Sequence, residues 1–412
     1  MDAAPARGAC VRGPETIQIK GHTTIMGSKS CKSPRQSAPF IATDKSKLCA
    51  DDVPPWADLE PWGFDAERAA ELTVAVASLS AENGPCRAAR VVFESRRLYR
   101  VHDGRQELPA AAAGRFELGP ERPSVGDWVV IDGPASSPRI VHILPRRTRL
   151  SRKVVGQKTE EQIVAANVDT VFLVMGMDGD FNLRRLERFA VMASESGAEP
   201  VVILTKKDLH ADPIGACLDA KTVVPGMPVF AVCSPTTEGL EPLRAFLATG
   251  RTVALVGSSG AGKSTLLNAL DGRSTMRTGA VRSSDDRGRH TTTHRQLVPL
   301  AGGGLLVDNP GVREIQLWAD KGALDATFDD LAELAAGCRF RDCRHVGEPG
   351  CAVLEAMQEG RLDPERLRNH RDMERELESL ERRRNVAEQR RADKKLGRLY
   401  RNVQAEKAAR RR

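Results

Sequence analysis

The stretch Gly257-Ser258-Ser259-Gly260-Ala261-Gly262-Lys263-Ser264 constrains this chain more than any other feature. It matches the phosphate-loop pattern in the context that the pattern requires. The apolar run Thr252-Val253-Ala254-Leu255-Val256 precedes it and reads as a buried strand, and a helical stretch runs from Thr265 to Leu270 after it. The glycines let backbone N–H groups turn inward around a phosphate, at the positive end of a helix. Lys263 then reaches the β- and γ-phosphates, and Ser264 ligates Mg²⁺. A strand feeding a helix through such a loop calls for an α/β fold.

Other segments agree. Val168 to Met175, Pro200 to Leu204 and Val229 to Val232 read as strands. Helical stretches fall at Leu183 to Ser194 and Leu240 to Leu247, so the alternation predicts a parallel sheet with crossover helices. Gly304 to Val307 reads as another strand and leads into Asp308-Asn309-Pro310-Gly311. There Asp308 is placed for the Mg²⁺ shell and Gly311 for a backbone contact to the γ-phosphate. Thr205-Lys206-Lys207-Asp208 also ends a strand, where ligand contacts collect in open α/β sheets. A carboxylate at Asp208 accepts from the N1–H and exocyclic amine of guanine, which adenine does not offer, and Lys206 lays its stem along the base. Cys233-Ser234 is the candidate loop for guanine O6, and the ligands expected are GTP and GDP.

The order of these motifs is unusual. In an ordinary P-loop GTPase the phosphate loop comes first, whereas here Asp208 and Cys233-Ser234 precede Gly257. The same sheet forms if the original termini are joined and the chain is cut elsewhere, since termini often lie close together at a surface. The switch-like segment 280 to 311 then leads straight into the C-terminal part, so nucleotide-dependent movement is expected to pass that way.

That C-terminal part carries Cys338-x4-Cys343-x-His345-x5-Cys351. Three thiolates and an imidazole suit tetrahedral Zn²⁺, and four protein ligands leave no open position, so a structural zinc site is expected. Arg339, Arg341 and Arg344 suggest that the module faces phosphate. Nine cysteines are too few and too uneven for a disulfide framework in 412 residues, which fits a reducing cytoplasm.

Between Cys86 and about residue 150, short β-type runs separated by Gly and Pro predict a small β-barrel, a size often taken by oligonucleotide-binding folds or by barrels with no ligand. Trp56 to Leu79 reads as an amphipathic helix, and the first 55 residues as a disordered extension. The net charge of +7 concentrates at the end of the chain: residues 361 to 412 hold 18 Lys+Arg against 10 Asp+Glu. Such a segment is either a solvated charged helix or a polyanion-binding tail. No apolar run approaches the ~20 residues of a membrane-spanning helix, and no compact apolar block marks an export signal.

Gly257 to Thr265, Gly288-Arg289-His290-Thr291-Thr292-Thr293 and Cys338 to Cys351 together resemble the RsgA family, the ribosome small subunit-dependent, circularly permuted GTPases. The resemblance spans roughly residues 56 to 370. It implies a cytoplasmic GTPase acting late in small-subunit assembly and stimulated by the subunit, with an oligonucleotide-binding barrel on ribosomal RNA. The expected organisation is 1–55 extension, 56–84 helical lead-in, 85–153 barrel, 154–322 permuted GTPase domain, 323–370 zinc module and 371–412 basic helical tail. A monomer is expected.

This chain departs from the family at three places. Thr205 stands where the family usually has Asn, which helps brace the base loop, so weaker guanine affinity is expected although Asp208 remains; Asn309 follows Asp308, and Cys233-Ser234 replaces Ser-Ala. The residue after Asp-x-x-Gly is Val312, which makes no hydrogen bond to water, so slow intrinsic hydrolysis is expected. His290 is the candidate to orient the attacking water, the other reading being a loop cap or RNA contact. One of Thr291, Thr292 and Thr293 completes the Mg²⁺ shell. Two rivals stand beside this reading: a P-loop ATPase or nucleotide kinase, separable by GTP/ATP competition, and a non-catalytic zinc RNA-binding protein. The intact Lys263, Ser264 and Asp308 argue against the second.

Overall fold

The computed structural model describes residues 56–79, 86–95, 98–118, 121–153, 161–273, 294–308 and 319–383. The first described segment is not one helix, as its apolar spacing suggests. A 3-10 helix Ala57–Trp62 ends at Gly63, and α1 (Ala66–Ser78) starts afresh behind the N-cap Asp65. The physical reason is Gly63: its φ of 84° is a left-handed value, and a Cβ there would sit 2.5 Å from the Gly250 carbonyl oxygen. Pro61 adds to the break.

Five strands follow: β1 (Arg87–Ser95), β2 (Leu98–His102), β3 (Glu107–Ala112), β4 (Trp128–Asp132) and β5 (Arg139–Ile143), with the short α2 (Gly114–Leu118) between β3 and β4. They pair in the order β1-β2-β3-β5-β4, and β4 pairs back onto β1, so the barrel is closed. All its pairings are antiparallel except β3 with β5. Alternation sorts the side chains: Ala89, Val91, Val129 and Ile131 fill the interior, while Ala88, Trp128 and Val130 pack outward under Phe64, Leu72 and Val76 of the lead-in. β3, with its Pro109 and three alanines, has weak strand character of its own and is not foreseen from sequence. A separate hairpin, β6 (Arg149–Lys153) with β7 (Glu161–Ala166), leads onward.

The second layer system contains β8 (Thr170–Gly176), α3 (Leu183–Ser196), β9 (Glu199–Thr205), α4 (Pro213–Val223), β10 (Val229–Ala231), β11 (Thr252–Val256), α5 (Lys263–Asp271), β12 (His294–Pro299) and β13 (Leu305–Asp308). Its strands run in the order β10-β9-β8-β11-β13-β12, parallel except for β12. Both faces are covered, which explains the continuous apolar runs. Val171, Leu173 and Met175 of β8 join one core with Val202 and Leu204, whereas Phe172 and Val174 join the opposite core with Val201 and Ile203. The expected helix at 240 to 247 is a 3-10 helix, Glu241–Leu247, with a proline in its first turn.

Barrel and sheet are one hydrogen-bonded system, because β12 pairs antiparallel with β1 at Phe93↔Gln296, Glu94↔Arg295 and Ser95↔His294. Buried Arg90 seals the joint, donating to the Asn167 carbonyl at 3.1 Å and to Thr252 Oγ1 at 2.8 Å. Part of the switch-like segment 280 to 311 is thus tied to the barrel as well as leading toward the C-terminus. There α6 (Lys321–Thr327), α7 (Asp329–Ala336), α8 (Ala352–Gln358) and a helical run over 364–383 build a core around Leu324, Phe328, Leu367 and Met373, joined by Val191 of α3.

Candidate nucleotide site and Cys/His centre

The C-terminal ends of β8, β9, β11 and β13 open along one edge of the sheet. Gly257 leaves β11 so close to β8 that a Cβ would lie 2.2 Å from the Val174 carbonyl oxygen, so only glycine fits there. The loop then turns through Ser258, Ser259, Gly260 and Ala261 to Gly262, the N-cap of α5, with Lys263, Ser264 and Thr265 in its first turn. The Lys263 ammonium folds back on the loop, donating to the carbonyls of Gly257 at 2.8 Å and Ser258 at 2.5 Å. Asp308 ends β13, whose register with β11 (Ala254↔Val307) brings it to the same edge as Ser264. A serine hydroxyl and a carboxylate at one edge of the sheet are hard oxygen donors of the type that suits Mg²⁺.

Thr205 is buried and crosses to the phosphate loop: its Oγ1 lies 2.6 Å from the Ala261 carbonyl oxygen. A hydroxyl thus ties the base loop to the phosphate loop at the position where the family usually has Asn. Lys206 takes a left-handed backbone (φ 58°, ψ 38°). For an L-residue that costs roughly 1–3 kcal/mol, and such positions cluster at ligand clamps. Asp208 accepts from the Cys233 thiol at 3.3 Å, which joins the two candidate base loops. Lys207 pairs with Glu238 at 2.5 Å, and the Lys207 N–H donates to the Val232 carbonyl. Ser234 is buried, and its hydroxyl has no partner among the described residues. His290, Thr291, Thr292, Thr293, Gly311 and Val312 lie outside the described residues.

Sequence reasoning missed Asp178 and Asp180. Asp178 pairs with Lys206 at 2.5 Å, and Asp180 accepts from the Ser258 hydroxyl and pairs with Arg185 at 2.5 Å. Their signal was an Asp-x-Asp directly after the apolar run of β8, at a strand end of the kind that gathers ligand contacts.

The Cys/His quartet assembles about 14 residues of chain into one point. The ligand atoms of Cys338, Cys343, His345 and Cys351 all lie within 4.8 Å of one another. His345 Nδ1 is 3.3 Å from Cys351 Sγ and 3.6 Å from Cys338 Sγ, and those two sulfurs are 3.9 Å apart. A tetrahedral zinc with Zn–S bonds of ~2.3 Å sets its sulfurs about 3.8 Å apart, so the donor set and spacing fit the ion. The Glu348 carboxylate gathers the N–H groups of Arg344, Val346 and Gly347, which hold its pKa down to about 2, and Arg371 donates to the His345 carbonyl at 2.7 Å.

A parallel sheet with a phosphate loop after β11, and with candidate base loops that precede that loop in the chain, is the architecture of the circularly permuted P-loop GTPases. The family model described as RsgA GTPase matches residues 143–318. A protein of Opitutus terrae named Small ribosomal subunit biogenesis GTPase RsgA is 45% identical over 303 residues, 70% of this chain and 83% of its own length. A protein of the same name from Xanthomonas axonopodis pv. citri is 46% identical over 299 residues, covering 71% and 81%. The crystal structure of YjeQ from Thermotoga maritima aligns with a TM-score of 0.54 at 27% identity, over 71% of this chain and 98% of that one. YloQ, described as a circularly permuted GTPase, aligns with a TM-score of 0.51 over 73% of this chain and 98% of its own, and at 22% identity speaks for the fold alone. The chain belongs to the RsgA family of GTPases.

Proposed function

We propose that this protein is a cytoplasmic GTPase that binds the small ribosomal subunit, assists its late maturation and times release by hydrolysis. The observation that carries this reading is the bond from Thr205 to Ala261, which locks the loop suited to guanine onto the loop suited to phosphate. Gly257 to Thr265 hold the phosphates, Asp208 with Lys206, Lys207, Cys233 and Ser234 reads guanine, and Gly311 meets the γ-phosphate. Ser264 and Asp308 would hold Mg²⁺, which would supply charge neutralisation on the nucleotide phosphates. His290 orients the attacking water, and with Val312 in the usual glutamine position turnover stays slow until the subunit stimulates it.

RNA binding by the barrel is supported by its five-stranded closed order, with β3 parallel to β5 and a helix between β3 and β4, an arrangement suited to an oligonucleotide-binding fold. The Cys/His module holds a structural zinc and, with exposed Phe340 and Arg339 stacked on its ring, offers a second surface for RNA. The basic tail adds salt-sensitive affinity. Residues 85–153, 154–322, 323–370 and 371–412 act as barrel, GTPase, zinc module and tail, and the protein works as a monomer.

The test is GTP hydrolysis by purified protein, alone and with small ribosomal subunits, at fixed salt. Strong stimulation that His290→Ala abolishes supports the assignment. Full stimulated turnover by His290→Ala overturns the role of that residue, and preference for ATP over GTP overturns the guanine reading.

A further inference from the structure

The turn between β8 and α3 makes contacts that phosphate-loop chemistry does not require. Its Asp178 carboxylate receives the Lys206 ammonium at 2.5 Å, and two residues on, Asp180 receives the hydroxyl of Ser258 in the phosphate loop. The turn itself is stiff. The Asp180 N–H donates to Asp178 Oδ1 at 3.2 Å, the Phe181 N–H to the Asp178 carbonyl at 3.0 Å, and Arg185 of α3 holds Asp180. The backbone beneath is fixed as well, since the Met177 N–H donates to the Thr205 carbonyl at 2.8 Å. Gly176 makes room: a Cβ there would sit 2.7 Å from Asp178 Oδ1.

Lysine carries a flexible four-carbon stem, and immobilising such a side chain on binding costs affinity unless the protein has already restrained it. Lys206 is restrained at both ends, by its left-handed backbone and by Asp178. We propose that Asp178 is a positioning residue of the base subsite: it pre-sets the Lys206 stem along the plane where guanine lies, while Asp180 anchors the same turn to the phosphate loop. The proposal rests on the assignment of residues 205–208 to base recognition. The Lys206 ammonium also draws the Asp178 carboxyl below its usual range, as a lasting contact would.

The experiment measures binding of GDP, ADP and inorganic pyrophosphate by full-length protein with Mg²⁺, for wild type, Asp178→Asn, Asp178→Glu, Lys206→Met and the double variant Asp178→Asn/Lys206→Met. Asp178→Asn is expected to weaken GDP roughly three- to tenfold, the scale of one partly exposed ion pair plus one freed long side chain. Pyrophosphate affinity should stay unchanged, because it does not touch the base subsite. Asp178→Glu should recover part of the loss, and Asp178→Asn should add nothing once Lys206 is methionine. Unchanged GDP affinity in Asp178→Asn, an equal loss for pyrophosphate, or full additivity with Lys206→Met would each overturn the role of Asp178. Wild-type protein that binds ADP as well as GDP would instead overturn the base-loop assignment beneath it.

Discussion

Arg366 and Glu187 meet 2.8 Å apart with the arginine side chain 3% exposed and the glutamate fully buried, although 179 residues separate them. Arg366 also grips Asp330 at 2.6 Å, donates to the Val223 and Thr327 carbonyls and lies over the Phe328 ring. It is the pin that fastens the C-terminal helices to α3 and α4 of the nucleotide-binding sheet. Burial pushes the Glu187 carboxyl up, so its charge depends on Arg366, Arg184 and Asn369 around it.

Removing Arg366 leaves the buried Glu187 with only Arg184 and Asn369 to offset its charge, and removing Glu187 leaves the buried Arg366 with only the half-exposed Asp330. Arg366→Ala is expected to cost about 3–5 kcal/mol, the usual penalty for an orphaned buried charge. Chemical denaturation should show the loss, and limited proteolysis should cut earlier within 319–383 than in wild type. A double Arg366→Leu/Glu187→Leu variant should recover much of that stability, because no charge is left buried.

Metal removal should unfold the same region from the other side. Cys351 is both one of the four candidate zinc ligands and a buried member of the core that includes Leu331, Val353 and Ala356. The free energy of zinc held by this quartet would be folding free energy for this segment. Elemental analysis should find zinc bound, Cys351→Ser should lose it, and chelation should remove helical circular dichroism that added zinc restores. Wild-type thermal unfolding that ignores chelation would count against a structural ion.

Thr205 offers a test of loop bracing. Thr205→Ala deletes the bond to the Ala261 carbonyl and leaves that acceptor unpaired near the phosphate loop. One such bond is worth about 0.5–1.5 kcal/mol. GDP affinity, followed with a fluorescent analogue, should fall accordingly, while Thr205→Asn should hold it.

A pH dependence follows from Asp65. The Arg147 guanidinium, in a two-pronged contact at 2.5 and 2.8 Å, and then the capped Arg68 N–H hold its carboxyl at about 2. A depressed carboxyl stabilises the fold above its unfolded value near 4, and that contribution fades as pH falls through about 2. Asn also caps helices well, so Asp65→Asn isolates the ion pair. Because this pair is largely exposed, the difference in melting temperature should be small at pH 7 and should close as pH falls from 4 to 2.

How far the residues spoke for themselves depends on whether each signal is local. Gly257 to Ser264 were legible because a phosphate loop is a short stretch whose glycines and lysine act within one turn. The strands Thr252–Val256 and Thr170–Gly176 were legible because burial on both faces leaves an unbroken apolar run. Cys338 to Cys351 were legible as a candidate zinc quartet because metal ligands must be close in space and these are close in sequence. β3 was not, since Glu107–Ala112 has little strand preference and is held by its neighbours β2 and β5. Nor was the break at Gly63, which depends on the approach of Gly250, 187 positions along the chain.

The amino-acid order by itself determined the phosphate loop, the permuted arrangement of the motifs and the Cys/His quartet. Only the tertiary structure decided that Thr205 braces Ala261, that Asp178 and Asp180 clasp both nucleotide loops, that β12 joins the barrel to the sheet, and that Arg366 finds Glu187. Each of those contacts couples strand ends or helices far apart in sequence. Their energy exists only once packing has excluded water and brought charges and hydroxyls within bonding distance, and no local pattern of residues encodes that meeting.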